Sequence, residues 1–247
     1  MTFCVQAGWN DVPHLSEQQK QEMLRAYPEH ERDARAKGIP MLGSGAVFPI
    51  DEERIKCDPR EIPRHWPQIV GLDFGWDHPT AAVRIAWDRD SDCVYVINAY
   101  RRSKEIPAVH SASIRAWGDW IPVAWPHDGE QHDKGSGIQL ADQYREHKLN
   151  MLPEKATNAE GGNGVEAGIM DMLERMRTDR FKVFRGLNEW FSEFRTYHRK
   201  DGKIVKEVDD LMSATRYAVM MRRFAITEPE AWDFSTSARA GSDWMGV

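Results

Sequence analysis

The sequence predicts an α/β fold, and two observations support this. Residues 68–100 contain three runs rich in apolar and β-branched residues, separated by turn-forming residues, which is the pattern of a three-stranded meander. Beyond residue 100, segments with apolar residues at helical spacing alternate with short apolar runs as far as residue 224. This alternation is typical of a sheet packed against helices.

The first strand of the meander ends on a carboxylate, Asp73, and a turn at Gly75 and 77–79 follows it. The next two strands are predicted at 80–87 and 93–100. After the meander, helices are predicted at 106–120, 138–147, 165–178, 187–197 and 209–224, short strands at 121–126, 149–152 and 181–184, and a hairpin turn at 200–203.

The first quarter of the chain differs from the rest. Ser16 is a good N-cap for a short helix at 17–26, and a second charged helical stretch covers 30–37. With few apolar residues, 1–63 cannot bury a core alone, so we predict the end of another domain and a linker there. The compact domain is expected at 64–228, with a flexible tail at 229–247.

Composition limits the possible functions. The chain has 247 residues, 41% of them hydrophobic, and a net charge of −6, which suits a soluble globular protein with an ample core. This acidity argues against a generic high-affinity nucleic-acid binder, but not against an enzyme that meets DNA through a local basic face and a metal. No apolar run approaches the roughly 20 residues needed to cross a bilayer.

The three cysteines, Cys4, Cys57 and Cys93, are far apart in the sequence. Their spacing fits neither a disulfide framework nor a zinc site. The N-terminus lacks the charged start and long apolar core of a secretory signal. A reducing cytosol is the expected setting.

Acidic residues mark three points of the predicted fold. Asp73 and Asp128 each follow a predicted buried strand, and Asp209 and Asp210 open the last predicted helix. Strand ends at one edge of an α/β sheet lie side by side, and a helix start can pack against them. Clustered carboxylates repel one another unless a cation neutralises them, and an all-oxygen ligand set selects Mg²⁺ or Mn²⁺. Two such ions, about 4 Å apart, can hydrolyse a phosphodiester.

Each acid also has a purely structural explanation. Asp209 can cap the last helix, Asp210 favours the positive end of the helix dipole, and Asp128 can belong to an ordinary turn before Gly129. Asp73 can cap the turn at Gly75. Spacing alone leaves the choice between a metal site and these structural roles open.

Three stretches of the chain resemble the large terminase subunit of tailed double-stranded DNA bacteriophages. They are residues 13–49; VGLDFGWDHPTAAV at 70–83 together with WPHDGEQHDKGSG at 125–137; and GKIVKEVDDLMSATRYAV at 202–219. The last is similar to the ending GK-x-x-K-E-x-D-[DH]-x-x-[DS]-A-x-RY of that family. In that family an N-terminal ATPase translocates DNA, and a C-terminal nuclease with an RNase H-like mixed sheet cuts it.

The resemblance implies a nuclease domain, because the chain has no Walker A motif. By the same resemblance, residues 1–63 are similar to the end of the ATPase region and its linker. Asp73, Asp128 and Asp209 fall on the three catalytic acids of the family, as ligands of Mg²⁺ or Mn²⁺. Asp210 replaces a frequent histidine, so it remains a further possible ligand, and Ser213 stands where the family often has Asp.

The implied activity is metal-dependent cleavage of concatemeric viral DNA at the start and end of packaging. The implied partners are double-stranded DNA, a small terminase subunit and the portal protein, in the host cytoplasm on the procapsid portal. Lys203 and Lys206, on the hairpin before Asp209, are candidate phosphate contacts.

Two alternatives come from other classes. The glycine-acid-glycine hairpin at Gly71–Gly75 also resembles that of actin-like ATPases, although no second phosphate loop follows in order. The second alternative is a non-catalytic docking module with an RNase H-like core, active only as part of a motor.

Overall fold

A mixed six-stranded sheet forms the centre of the protein, in the order β1-β6-β4-β3-β2-β5. The computed structural model describes residues 8–27, 32, 35–38, 45–130, 139–158, 161–162 and 164–230. The strands are β1 (Lys56–Cys57), β2 (Gln68–Asp73), β3 (Thr80–Asp88), β4 (Cys93–Arg102), β5 (Val123–Ala124) and β6 (Phe181–Phe184). The meander β2-β3-β4 is antiparallel, whereas β5 runs parallel to β2, and β6 runs parallel to β4 and β1.

Helices lie on both faces of this sheet. The helices bounded within the described residues are α1 (Glu17–Ala26), α2 (Glu52–Ile55), α3 (Pro107–Arg115), α4 (Leu140–Glu146), α5 (Val165–Arg177), α6 (Asn188–Thr196) and α7 (Asp210–Met220), and α3 to α7 pack against the sheet. Short 3₁₀ turns cover Trp9–Asp11, His127–Glu130 and Arg222–Phe224. Among the described residues, no helix is long and apolar enough to cross a membrane.

The two faces of the sheet bury separate apolar clusters. On β2, Ile69 packs into the cluster formed with α5, α6 and α7, while Val70 and Leu72 pack into the cluster formed with α3 and α4. Both faces are therefore covered, which explains why β2 reads as a continuous apolar run instead of an alternating one. The predicted α/β class is confirmed.

Helix α7 lies directly on β2 because Gly71 has no side chain. A Cβ atom at Gly71 would lie 1.9 Å from the carbonyl oxygen of Ala214 and 2.6 Å from the amide nitrogen of Ala218. Only glycine permits such a close approach of helix to strand. The last residue of β2, Asp73, consequently shares a cleft with the first turn of α7.

The boundaries of several predicted elements shift for identifiable reasons. The helix predicted at 106–120 ends at Arg115, and a turn with Gly118 at φ +141° follows it. The strand predicted at 149–152 contributes a single parallel bridge, from Met151 to Val123. The hairpin predicted at 200–203 is confirmed between β7 (Arg199–Lys200) and β8 (Lys203–Ile204). Its central residues have φ +51° and +74°, as a type I′ turn requires.

The described part of the first quarter divides into two. Ser16 caps α1 in a capping box with Gln19, as predicted, and α1 buries no residue. In contrast, Val47, Phe48, Ile50 and Ile55 belong to the larger core, and β1 adds an edge strand beside β6. Residues 47–57 thus pack with the sheet, although the sequence placed them before the compact domain.

Some predictions fall outside the described residues. These are half of the helical stretch at 30–37, namely residues 30, 31, 33 and 34, and the tail at 229–247 beyond its first two residues. Cys4 also lies outside them, while Cys57 and Cys93 are free thiols.

Candidate metal centre

A cleft of about 820 Å³ opens where β2 ends. All four acids singled out in the sequence line it, and so do both lysines of the hairpin. The lining set is Asp73, Asp128, Asp209, Asp210, Lys203 and Lys206. The structure therefore brings every candidate site residue to one place.

Strand pairing and helix packing explain this convergence. Because β5 runs parallel to β2, with Gly71 opposite Ala124, the turn that carries Asp128 emerges at the same sheet edge as Asp73. Gly129 fixes that turn, since a Cβ atom there would lie 2.5 Å from the ring of Trp125. Asp209 and Asp210 reach the cleft because they form the N-terminus of α7, which packs on β2.

Asp73 is placed where its negative charge is unfavourable. Burial raises the pKa of Asp73 well above its usual value, and the neighbouring carboxylates of Asp209, Asp210 and Asp128 raise it further. Only the guanidinium of Arg216 acts in the opposite direction among the main influences. A cation between these carboxylates would relieve the repulsion.

Asp209 occupies the N-cap position of α7 but does not cap it. Its side chain makes no capping hydrogen bond and is partly exposed to the cleft. Burial raises the pKa of Asp209, the neighbouring Asp210 raises it further, and Lys206 opposes the shift. The capping role considered for Asp209 from the sequence is therefore not the one that its side chain adopts.

Glu193 of α6 caps α7 instead. Its Oε2 accepts hydrogen bonds from the backbone N–H groups of Leu211 at 2.7 Å and Met212 at 3.3 Å. Burial raises the pKa of Glu193 to about 7, although the charge of Arg101 and these two N–H groups oppose the shift. Nothing in the local sequence around Glu193 indicates this role.

Asp210 is buried and ion-paired, in contrast to its neighbour. Its side chain is 8% exposed, and its Oδ2 accepts hydrogen bonds from Arg101 Nε at 3.2 Å and Nη2 at 3.0 Å. Arg101 Nε also lies 3.0 Å from Oε1 of Glu193, an ion pair in which the N–H points to Asp210. One arginine thus balances two buried carboxylates.

Asp128 is the most open of the four acids. Its side chain is 53% exposed, and its Oδ1 lies 3.0 Å from Nε2 of His127. This histidine directly precedes Asp128 in the sequence. An exposed carboxylate at the mouth of the cleft can reorient towards a bound cation.

Arg216 of α7 is a second residue that sequence reasoning missed. It lines the cleft, is only 5% exposed, and its guanidinium lies 4.4 Å from the ring centre of Tyr217. It forms no ion pair with any described carboxylate, and its Nε has no hydrogen-bond partner there. The available signal was its place in the RY pair, Arg216-Tyr217, that ends the motif resembling the terminase family.

The donor set suits a hard divalent cation, since carboxylate oxygens are the ligands that Mg²⁺ and Mn²⁺ prefer. Within the described ranges, however, no three His, Cys, Asp or Glu side chains already converge on one coordination point. The acids are gathered around the cleft with space between them. Cation binding would require some of these side chains to turn inward.

Many basic residues elsewhere form ion pairs with carboxylates. Arg175 and Arg180 both bind Asp92, and Arg199 binds Glu166. Lys203 and Lys206, by contrast, are exposed and form no ion pair within the part of the chain that the structure describes. These two cations at the cleft remain open to an anionic ligand.

The chain matches known protein families along most of its length. A family model described as the terminase RNaseH-like domain matches residues 70–222. A second, described as the N-terminal part of the T4likevirus-type terminase large subunit, matches residues 1–55. The large terminase subunit of Salmonella phage P22 is 49% identical over 216 residues, which are 87% of this chain and 43% of that protein. The chain thus spans less than half the length of this curated relative.

Solved structures agree with these matches. The nuclease domain of the phage P22 large terminase superposes with a TM-score of 0.70 at 48% identity, covering 75% of this chain and 96% of that one. The nuclease domain of the phage SPP1 large terminase, solved with bound Mn, has a TM-score of 0.51 at 18% identity, covering 68% of this chain and 97% of that one, and so shares the fold. The RNase H-like mixed sheet flanked by helices is confirmed, and the chain belongs to the terminase RNaseH-like domain family.

Proposed function

We propose that this chain is the metal-dependent endonuclease domain of a phage DNA-packaging terminase, which cleaves concatemeric double-stranded viral DNA at the start and end of packaging. The observation that carries the proposal is the gathering of four carboxylates in one cleft beside two exposed lysines, which form no ion pair with any residue that the structure describes. Membership of the family and the 48% identity to a terminase nuclease domain support it.

Mg²⁺ or Mn²⁺, as two ions, is the cofactor that the donor set favours. The carboxylates of Asp209, Asp210 and Asp128 all act on Asp73, so Asp73 would be shared by both ions, with Asp128 holding one and Asp209 the other. Asp210 is a further candidate ligand, although its Oδ2 is already engaged by Arg101. When bound, the ions would activate water and stabilise the leaving oxygen of the phosphodiester.

The remaining cleft residues act on the substrate rather than on the ions. Lys203 and Lys206 would lie along the DNA backbone and bind phosphate oxygens, since their ammonium groups are exposed at the cleft and unpaired among the described residues. They would hold the scissile strand over the acids. The net charge of −6 makes this local basic edge the favourable approach for DNA.

Membership of the family supports a wider assembly. The partners are double-stranded DNA, a small terminase subunit and the portal protein, and the site of action is the host cytoplasm, at the procapsid portal. Residues 1–63 would be the end of the ATPase region with its linker, 64–228 the nuclease domain and 229–247 a flexible tail. The match of 1–55 to a terminase N-terminal family supports the first assignment, while the core packing of 47–57 moves the structural boundary earlier.

Plasmid cleavage tests this function directly. Wild type is expected to nick and cut supercoiled DNA in Mg²⁺ or Mn²⁺ with little sequence preference, and Asp73→Asn to lose at least about 10²-fold of the rate. Asp90→Asn is the matched control. Asp90 lies in the turn between β3 and β4, at the end of these two strands that is opposite to the cleft. Equal cleavage by Asp73→Asn and Asp90→Asn would refute the metal site.

A non-catalytic docking module is the second candidate. It is favoured by the finding that no three potential ligands among the described residues already converge. This candidate is supported if no divalent cation allows the isolated chain to cut DNA and none binds in the cleft by calorimetry. Cation binding in the cleft without cutting would instead indicate an intact site that needs its DNA-delivering partners.

A further inference from the structure

The first turn of α7 is held by a residue from another helix. The backbone N–H groups of Leu211 and Met212 occupy the second and third positions of the helix, which an N-cap side chain normally binds. Both donate to Oε2 of Glu193, a side chain that is 1% exposed. The donors that Asp209 would otherwise bind are therefore already satisfied.

This arrangement affects the side chain of Asp209. An aspartate at an N-cap position ordinarily turns its carboxylate back onto its own helix. With Glu193 on those donors, the carboxylate of Asp209 has no such interaction and lines the cleft instead. The position that sequence reasoning associates with a structural cap is thereby released for another ligand.

Arg101 extends the same network to the sheet. It belongs to β4, and its guanidinium lies 3.0 Å from Oε1 of Glu193 and 3.0 Å from Oδ2 of Asp210. Three elements, β4, α6 and α7, are thus tied together immediately behind the cleft. Buried charges that are paired and hydrogen-bonded on several sides fix geometry firmly, because removing one partner leaves the others unsatisfied.

We propose that Glu193 and Arg101 are positioning residues, which hold the first turn of α7 so that the carboxylate of Asp209 faces the cleft and binds a divalent cation. The inference rests on the proposed nuclease function and adds to it. Neither residue lines the cleft. Both act through the orientation of an acid that binds the cation.

Mn²⁺ affinity measured by calorimetry tests the proposal. Glu193→Ala vacates the two N–H donors, so Asp209 is expected to turn onto its own helix, and Mn²⁺ affinity should fall by about 10- to 100-fold, as for other outer-shell residues of metal sites. Glu193→Gln keeps an oxygen for the donors but loses the charge opposite Arg101. Its affinity should be intermediate, about threefold or more below wild type.

Thr215→Val is the matched control. Thr215 accepts a 2.9 Å hydrogen bond from Trp190 Nε1, so this variant also breaks a buried link between α6 and α7, one turn further from the cleft. It should lower the melting temperature without changing Mn²⁺ affinity. Affinity that is unchanged in Glu193→Ala, or equally reduced in Thr215→Val, overturns the proposal. If Glu193→Ala does not fold, the comparison of Glu193→Gln with Thr215→Val decides in the same way.

A crystal structure of metal-free Glu193→Ala or Glu193→Gln separates this inference from the nuclease proposal. In the Ala variant the carboxylate of Asp209 should accept hydrogen bonds from Leu211 or Met212, and in the Gln variant it should remain in the cleft. An Asp209 that keeps its wild-type orientation in the Ala variant refutes positioning, whatever the activity. If wild type neither binds a cation nor cuts DNA, the nuclease proposal is refuted, while the orientation of Asp209 in the metal-free variants still tests the positioning.

Discussion

At the scale of one residue, the negative charge that makes Asp73 a candidate metal ligand also destabilises the metal-free folded protein. Burial and three acidic neighbours raise its pKa, so the folded protein binds a proton there more tightly than the unfolded chain does. The stability contributed by this group is present below its unfolded pKa, about 4, and is lost as the pH rises through the folded value. At neutral pH the metal-free cleft is therefore under electrostatic strain.

Asp73→Asn should raise the melting temperature of the metal-free protein at neutral pH, because the amide is uncharged. A gain of a few degrees is expected, since 1 kcal/mol corresponds to about 2–4 °C for a protein of this size. Melting curves in EDTA from pH 4 to pH 8 measure it, and the gain should grow with pH. A variant that is less stable than wild type by the same amount throughout this range would contradict the electrostatic explanation.

The acids could be predicted from the sequence at residue scale, whereas their supporting residues could not. Asp73 and Asp128 follow recognisable strands, and Asp209 opens a recognisable helix. Arg101, by contrast, meets Asp210 across 109 positions of sequence, and no local pattern announces such a contact. The exchange of capping roles between Asp209 and Glu193 likewise depends on how two helices pack.

At the scale of elements, the contact of α7 with β2 sets the position of the site. Gly71→Ala would force a Cβ atom to within 1.9 Å of the carbonyl oxygen of Ala214, so the helix must move away from the strand. We expect a loss of about 3 kcal/mol or more in unfolding free energy, at the upper end of the usual cost of overpacking. Cleavage should fall as well, because Asp209 moves with the helix.

Gly186→Ala is the control for this prediction. A Cβ atom at Gly186 has no neighbour within 4 Å, and the same substitution there should change stability by less than about 0.5 kcal/mol. Chemical denaturation of both variants gives the comparison. If Gly71→Ala were as stable as Gly186→Ala, α7 would not pack on β2 as closely as described.

The meander was predictable because apolar strands alternate with strong turn residues, and the hairpin because Asp-Gly favours a type I′ turn. The edge strand β1 and helix α2 were not predicted, because their charged residues resemble a linker. Lys56, for example, pairs with Glu52 and Glu53, which lets a polar segment pack at the sheet edge. Such pairing appears only once the chain is folded.

At the scale of the whole molecule, the distribution of charge matters more than its total of −6. Basic residues on α5 and β6 are bound to carboxylates, as in the pairs of Arg175 with Asp171 and Lys182 with Asp179. Lys203 and Lys206 remain available at the cleft. The cleft thus carries a small basic edge on a protein that is acidic overall.

Lys203→Gln should weaken DNA binding about uniformly across sequences and reduce the slope of log affinity against log salt by about one. The rate at saturating DNA should change little, because phosphate contacts position the substrate. Lys148→Gln serves as control, since Lys148 is exposed and lies outside the cleft lining. Salt titrations of the two variants that give the same slope would show that Lys203 does not contact phosphate.

The most direct test of the central claim is a crystal structure of the chain soaked in Mn²⁺, with anomalous scattering used to locate the ions. The predicted result is manganese in the cleft, bound by Asp73 together with Asp128 on one side and Asp209 or Asp210 on the other. A cleft that stays without anomalous signal at millimolar Mn²⁺, or an ion bound elsewhere while Asp73 keeps its metal-free position, would contradict the account.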